Sequence, residues 1–112
     1  MAAQNEPPSF QDSFVFRNEE DKPVEIMLEP WAPVFLVEIG ETLRFIGVSP
    51  VAGGFEGTRE GNFITLYGWE GSTVKVYKGE DLIEDCSTAF PSLSNGMSPR
   101  EFVDWMFKSR GL

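Results

Sequence analysis

Apolar and polar residues alternate with a period of two along most of this chain. The first such run is Phe14-Val15-Phe16, which ends in a charged turn over residues 17–23. In residues 24–29, Val24, Ile26 and Leu28 share one face and Glu25, Met27 and Glu29 the other, the pattern of a half-buried strand. Pro30 and Pro33 bracket Trp31 and force an extended, kinked connection. Residues 34–39 are apolar on both faces, Phe35, Val37 and Ile39 against Val34, Leu36 and Glu38. That composition predicts an interior strand, or one covered by a helix. Gly40-Glu41 leads into residues 42–48, where Leu43 and Phe45 point inward. Two β runs split by two residues beginning with glycine predict a hairpin.

A loop over residues 49–54 precedes a weaker strand, 55–60, interrupted by Gly57. Gly61-Asn62 turns the chain into residues 63–67, with Ile64 and Leu66 opposing Phe63, Thr65 and Tyr67. After the turn at 68–72 comes a strand over 73–77 with Val74 and Val76 inward. The turn at 78–81 closes a hairpin onto a short strand, 82–84. Turn signals at intervals of about eight to twelve residues mark a sandwich or barrel.

The pattern changes after Asp85. Residues 86–97 are serine-rich, contain Pro91 and Asn95-Gly96, and read as a loop crossing the surface. Ser98-Pro99-Arg100-Glu101 then carries a capping box with proline at the first helical position. It predicts a helix from 99 to about 109, with Gly111 as its C-terminal cap and Lys108 and Arg110 complementing the dipole. Phe102, Val103, Met106 and Phe107 fall on one face, with Trp105 at its edge. A helix this short needs the sheet to stand.

The expected organisation is one domain. Residues 1–9 form a flexible arm, 10–85 a β-sandwich, 86–97 a loop, and 98–112 a helix packed on the same domain. The fold class is mainly β: a small antiparallel β-sandwich or partly open barrel of about six to eight strands with one C-terminal α-helix.

Composition narrows the chemistry. The chain has 112 residues, no histidine and one cysteine. Imidazole is absent as general base and metal ligand, so histidine triads and cysteine–histidine zinc sites are excluded. Eighteen acidic residues against nine basic ones give a net charge of −9. That charge disfavours direct binding to nucleic acid or an anionic membrane. The first ten residues lack the basic and apolar regions of a secretory signal, and lone Cys86 has no internal disulfide partner. A cytoplasmic location is the expectation.

Four aromatic side chains near turns or on the helix are the candidate binding residues: Trp31, Tyr67, Trp69 and Trp105. Tryptophan and tyrosine stack on sugars and anchor peptides, and they equally close the ends of a β core. The carboxylates Glu19, Glu20 and Asp21, and Glu80, Asp81, Glu84 and Asp85, lack the spacing of a calcium loop and read as solvated charge. Gly53-Gly54 and Gly57 precede no helix, so no phosphate loop is present. Cys86 follows Glu84 and Asp85, which oppose its ionisation. No metal, cofactor or catalytic set is assigned.

Three segments carry a resemblance: Val24 through Trp31 with its Leu-Glu-Pro-Trp end, Gly40-Glu41-Thr42-Leu43, and Leu66-Tyr67-Gly68-Trp69-Glu70-Gly71-Ser72 running on to Val74. Together they resemble small bacterial single-domain β-rich proteins of uncharacterised role. The resemblance spans roughly residues 14–77 and implies no activity. The glycine–glutamate strand entry is also similar to that of cupredoxin-like sandwiches. Blue copper needs two histidines, which this chain lacks. The expected function is non-enzymatic: an acidic domain that binds another protein, with an inhibitor or toxin-neutralising role among its uses, whose partner presents a basic surface. A homodimer is compatible with the same reading. The alternative is a carbohydrate- or small-ligand-binding sandwich using the surface aromatics.

Overall fold

A computed structural model of the chain describes residues 9–93 and 96–109, the side chains of 107–109 excepted. Two four-stranded sheets make a sandwich with one C-terminal helix. The strands are β1 (Phe10–Arg17), β2 (Val24–Glu29), β3 (Val34–Val37), β4 (Thr42–Ser49), β5 (Glu56–Glu60), β6 (Phe63–Tyr67), β7 (Thr73–Lys78) and β8 (Asp81–Cys86), followed by α1 (Pro99–Ser109). Sheet A has the order β1-β4-β7-β8 and sheet B the order β3-β2-β6-β5. Every pairing is antiparallel except β2 with β6, which run parallel.

The inward residues are those the alternation picks out. Val24, Ile26, Leu28, Leu43, Phe45, Ile64, Leu66, Val74 and Val76 form the core, joined by Val37 and Cys86. Phe14 and Phe35 meet the Phe45 ring at centroid distances of 5.9 and 5.6 Å. Side chains from β1 and β5 fasten the neighbouring connections. The Asp12 carboxylate accepts the Phe55 N–H at 2.9 Å, and Arg59 pairs with Glu20 at 2.6 Å.

Two expectations are corrected. Residues 34–39 are not an interior or helix-covered strand. β3 is the edge of sheet B, and Leu36 is 56 % exposed. Nor do β3 and β4 form a hairpin; the Gly40-Glu41 corner carries the chain from sheet B to sheet A. The corner is held by Asn18, just beyond β1. Gly40 N–H donates to the Asn18 carbonyl at 2.7 Å and Asn18 N–H donates to the Glu41 carbonyl at 2.9 Å. Buried Asn18 also donates from Nδ2 to the Val37 and Lys22 carbonyls at 2.9 and 2.8 Å. The hydrogen bonds a hairpin would have closed across β3 and β4 are made to β1's end instead. Gly40, at φ 85°, supplies the left-handed backbone that the corner needs.

The hairpins at Gly61 and Gly79 form as expected, the second with a register shift between Val76 and Tyr77. β1 is longer than its apolar run, starting at Phe10. The capping box is reciprocal: Glu101 N–H donates to Ser98 Oγ at 3.1 Å and Ser98 N–H donates to Glu101 Oε1 at 3.0 Å. The expected roles of Phe107, Lys108, Arg110 and Gly111, and the arm over residues 1–8, lie outside the described residues or side chains.

Candidate functional site

The four aromatics chosen from sequence do not share one exposed plane. Trp69 is 3 % exposed and Tyr67 7 %. The Trp69 indole donates from Nε1 to the Val51 carbonyl at 2.9 Å and meets Phe55 edge-on at 5.4 Å. It lies against the backbone at Gly47 and Gly53, where an added Cβ would come within 2.6 and 2.3 Å of the ring. Trp69 is thus a plug in one end of the sandwich. Trp31 is half-buried over Gly68 and donates from Nε1 to the Thr88 carbonyl at 2.7 Å. Using Tyr67 and Trp69 as a surface stacking platform is therefore corrected: burial removes both ring faces from solvent.

Trp31 leads instead to the helix. The segment after β8 is fixed to the turn at residues 68–72: Phe90 N–H donates to the Ser72 carbonyl at 2.8 Å and Gly71 N–H to the Phe90 carbonyl at 3.0 Å. Leu93 N–H donates to Glu70 Oε1 at 3.0 Å. The buried Phe90 ring meets Trp31 edge-on at 6.1 Å and Phe102 of α1 at 5.8 Å. This chain of rings seats α1, whose Val103 is buried.

The helix covers one corner of the outer face of sheet B. Tyr67 points outward from β6, yet it is buried, and it feels the charges of Asp104 and Arg100 on α1. Burial first, and the Asp104 carboxylate second, push its phenol above the ordinary tyrosine value. Glu29 lies beside Tyr67 in the parallel register and is buried at the same corner. Loss of water raises its carboxyl above the usual range. Met97, Glu101, Asp104 and Trp105, at and just before α1, line a depression of about 310 Å³, with Trp105 54 % exposed.

The rest of this outer face is open. Its cross-strand rows are Leu36–Glu25–Phe63–Glu60 and Val34–Met27–Thr65–Thr58. Leu36 and Val34 are more than half and half exposed, and Met27 and Phe63 are partly exposed beside them. None of the outward strand positions of sheet B carries a cation, whereas Glu25, Glu56 and Glu60 are exposed there. The result is an open face on which Val34, Leu36, Met27 and Phe63 surround Glu25, with Glu56 and Glu60 along the β5 edge. Sequence reasoning missed it by burying residues 34–39; the signal available was their shortness between Pro33 and Gly40.

The remaining candidate groups are placed as follows. Cys86 is buried, and burial first, then Glu84 and Asp85, push its thiol up to about 11. Glu20 is held below the usual carboxylate range by its hydrogen bond from Arg59, and Glu41 by that from Lys78. Among the described residues no group of three carboxylates or thiols converges to hold a metal ion. No described helix is long and apolar enough to cross a membrane. Comparison of the chain with protein-family models, with curated proteins and with solved structures gives no match.

Proposed function

We propose that this protein is a non-catalytic binding domain that docks another protein on the open part of the outer face of sheet B. The observation that carries this reading is the side-by-side exposure of Val34 and Leu36 with Met27 and Phe63. Contiguous apolar surface on a rigid element, rimmed by polar groups, is characteristic of interaction sites. Glu25 within this surface and Glu56 and Glu60 at its edge define the partner: an apolar patch that carries lysine or arginine, steered by opposite charge. An inhibitor or toxin-neutralising role is the use such an acidic face would serve.

A binding role also agrees with the state of the reactive groups. A thiol with a pKa near 11 is protonated at neutral pH and is no nucleophile. Glu29, the carboxyl with a raised pKa, lies under α1 rather than in a cleft. A cytoplasmic setting belongs to the same proposal and rests on the lone thiol.

The experiment is affinity capture with the intact chain as bait, comparing wild type with Leu36→Lys and Phe63→Lys. Both substitutions put a cation into the apolar surface that the partner's apolar patch would cover and cancel the pull of the neighbouring Glu25. The proposal expects a captured protein to be lost, by about tenfold or more in affinity. Equal capture by all three baits would overturn it.

A further inference from the structure

The other outer face of the sandwich has the opposite character. On sheet A the cross-strand rows are Val15–Arg44–Tyr77–Leu82 and Ser13–Ile46–Lys75–Asp85. Val15, Val48 and Leu82 are exposed, and Ile46 and Tyr77 partly so. The Arg44 guanidinium lies over the Tyr77 ring, 4.8 Å from its centroid, which keeps it on the face. Arg17, Arg44 and Lys75 project outward here against the single carboxylate Asp85. A chain of net charge −9 therefore carries one apolar face that is locally cationic.

Its complement lies on the same molecule. The outer face of sheet B offers apolar side chains, the same strand spacing, exposed carboxylates and no cation at its outward strand positions. The two faces point away from each other, so one molecule cannot join them. We propose that the outer face of sheet A receives the outer face of sheet B of a second copy, so that the protein associates head to tail. This rests on the reading of sheet B as a docking surface and names a second copy of the chain as one occupant. Packing sheet A on sheet A would oppose cations to cations. Packing A on B brings the face that carries Arg44 and Lys75 to the one that carries Glu25 and Glu60, and the apolar Val15 and Ile46 to the face of Leu36 and Met27.

The consequences follow from geometry. A contact between unlike faces leaves one of each exposed after every addition, so it extends in rows unless the rotation closes a ring. The strands of sheet B are four to six residues long, and at about 4.8 Å spacing, with one corner under α1, they present roughly 300 Å². Two such faces bury about 600 Å² in all, below the roughly 1,000 Å² of a stable interface. The association is therefore weak and concentration-dependent. The contact is small and its charged side chains stay within reach of solvent, so salt screens it.

Sedimentation velocity of the full chain from micromolar to near-millimolar concentration tests this. Face A is blocked by Arg44→Glu with Lys75→Glu, and face B by Glu25→Lys with Leu36→Lys. Circular dichroism establishes that both variants fold. At low ionic strength the wild-type mass rises past that of a dimer and falls back in high salt. Each blocked variant stays monomeric, and their equimolar mixture regains association. A wild type that remains monomeric throughout overturns the inference. So does a blocked variant that associates like wild type, or a mixture that behaves like its components. If wild type is monomeric while Leu36→Lys still abolishes capture of another protein, the self-association fails and the reading of sheet B stands.

Discussion

At the scale of single residues, Trp69 shows how close the fit between rings and backbone is. An alanine at Gly47 would put its Cβ 2.6 Å from the Trp69 ring, so the indole must move and overpack its neighbours. Gly47→Ala is expected to cost about 1–3 kcal/mol by chemical denaturation, and Trp69→Ala about 3–5 kcal/mol. Glu29 provides a test of sign. Its folded-state pKa is raised by burial, so between the ordinary carboxylate value and the raised one the native state holds more protons than the unfolded chain. Its contribution to stability therefore falls as pH rises through that window. Glu29→Gln should be more stable than wild type at neutral pH, and the difference in Tm should shrink as pH falls toward the ordinary carboxylate range. A difference that widens on acidification would contradict the burial. Glu20 and Glu41 act in the opposite direction at lower pH: their depressed values give stability lost as pH falls through them. Glu20 is exposed and Glu41 partly so, so water screens both and their effect is small.

At the scale of elements, local chemistry and pairing part company. The helix boundary was legible because Ser98, Pro99 and Glu101 act on their own backbone within one turn, and the structure closes that box in both directions. Ser98→Ala should cost about 1 kcal/mol, read most directly as faster hydrogen exchange in the helix's first amides. Strand faces were equally legible: Val24, Ile26 and Leu28 are buried, as their alternation implies. Which strand lies beside which was not. Gly40-Glu41 has the spacing of a hairpin, but Asn18, some twenty residues earlier, takes the hydrogen bonds and turns the corner between sheets. The parallel pairing of β2 with β6 is likewise a long-range event with no local mark. Residues 34–39 show the converse error. A run apolar on both faces is ordinarily interior because burial rewards it, and here Val34 and Leu36 are kept outside.

At the scale of the whole molecule, that departure is what points to function. The acidic composition was plain from the sequence, but its distribution was not: the outward positions of β2, β3, β5 and β6 hold carboxylates without a cation, and those of sheet A hold three cations against Asp85. The candidate aromatics divided by depth. Tyr67 and Trp69 close the core, Trp31 seats the helix through Phe90, and Trp105 lines the depression on α1. Depth is set by strand pairing, which explains why sequence could nominate these rings without sorting them. The most direct test of the account is hydrogen–deuterium exchange of the intact chain alone and saturated with its captured partner. Protection is predicted at the β3 amides and the adjoining residues of β2 and β6, with those of β8 unchanged. Protection elsewhere with β3 unaffected would contradict sheet B as the binding face.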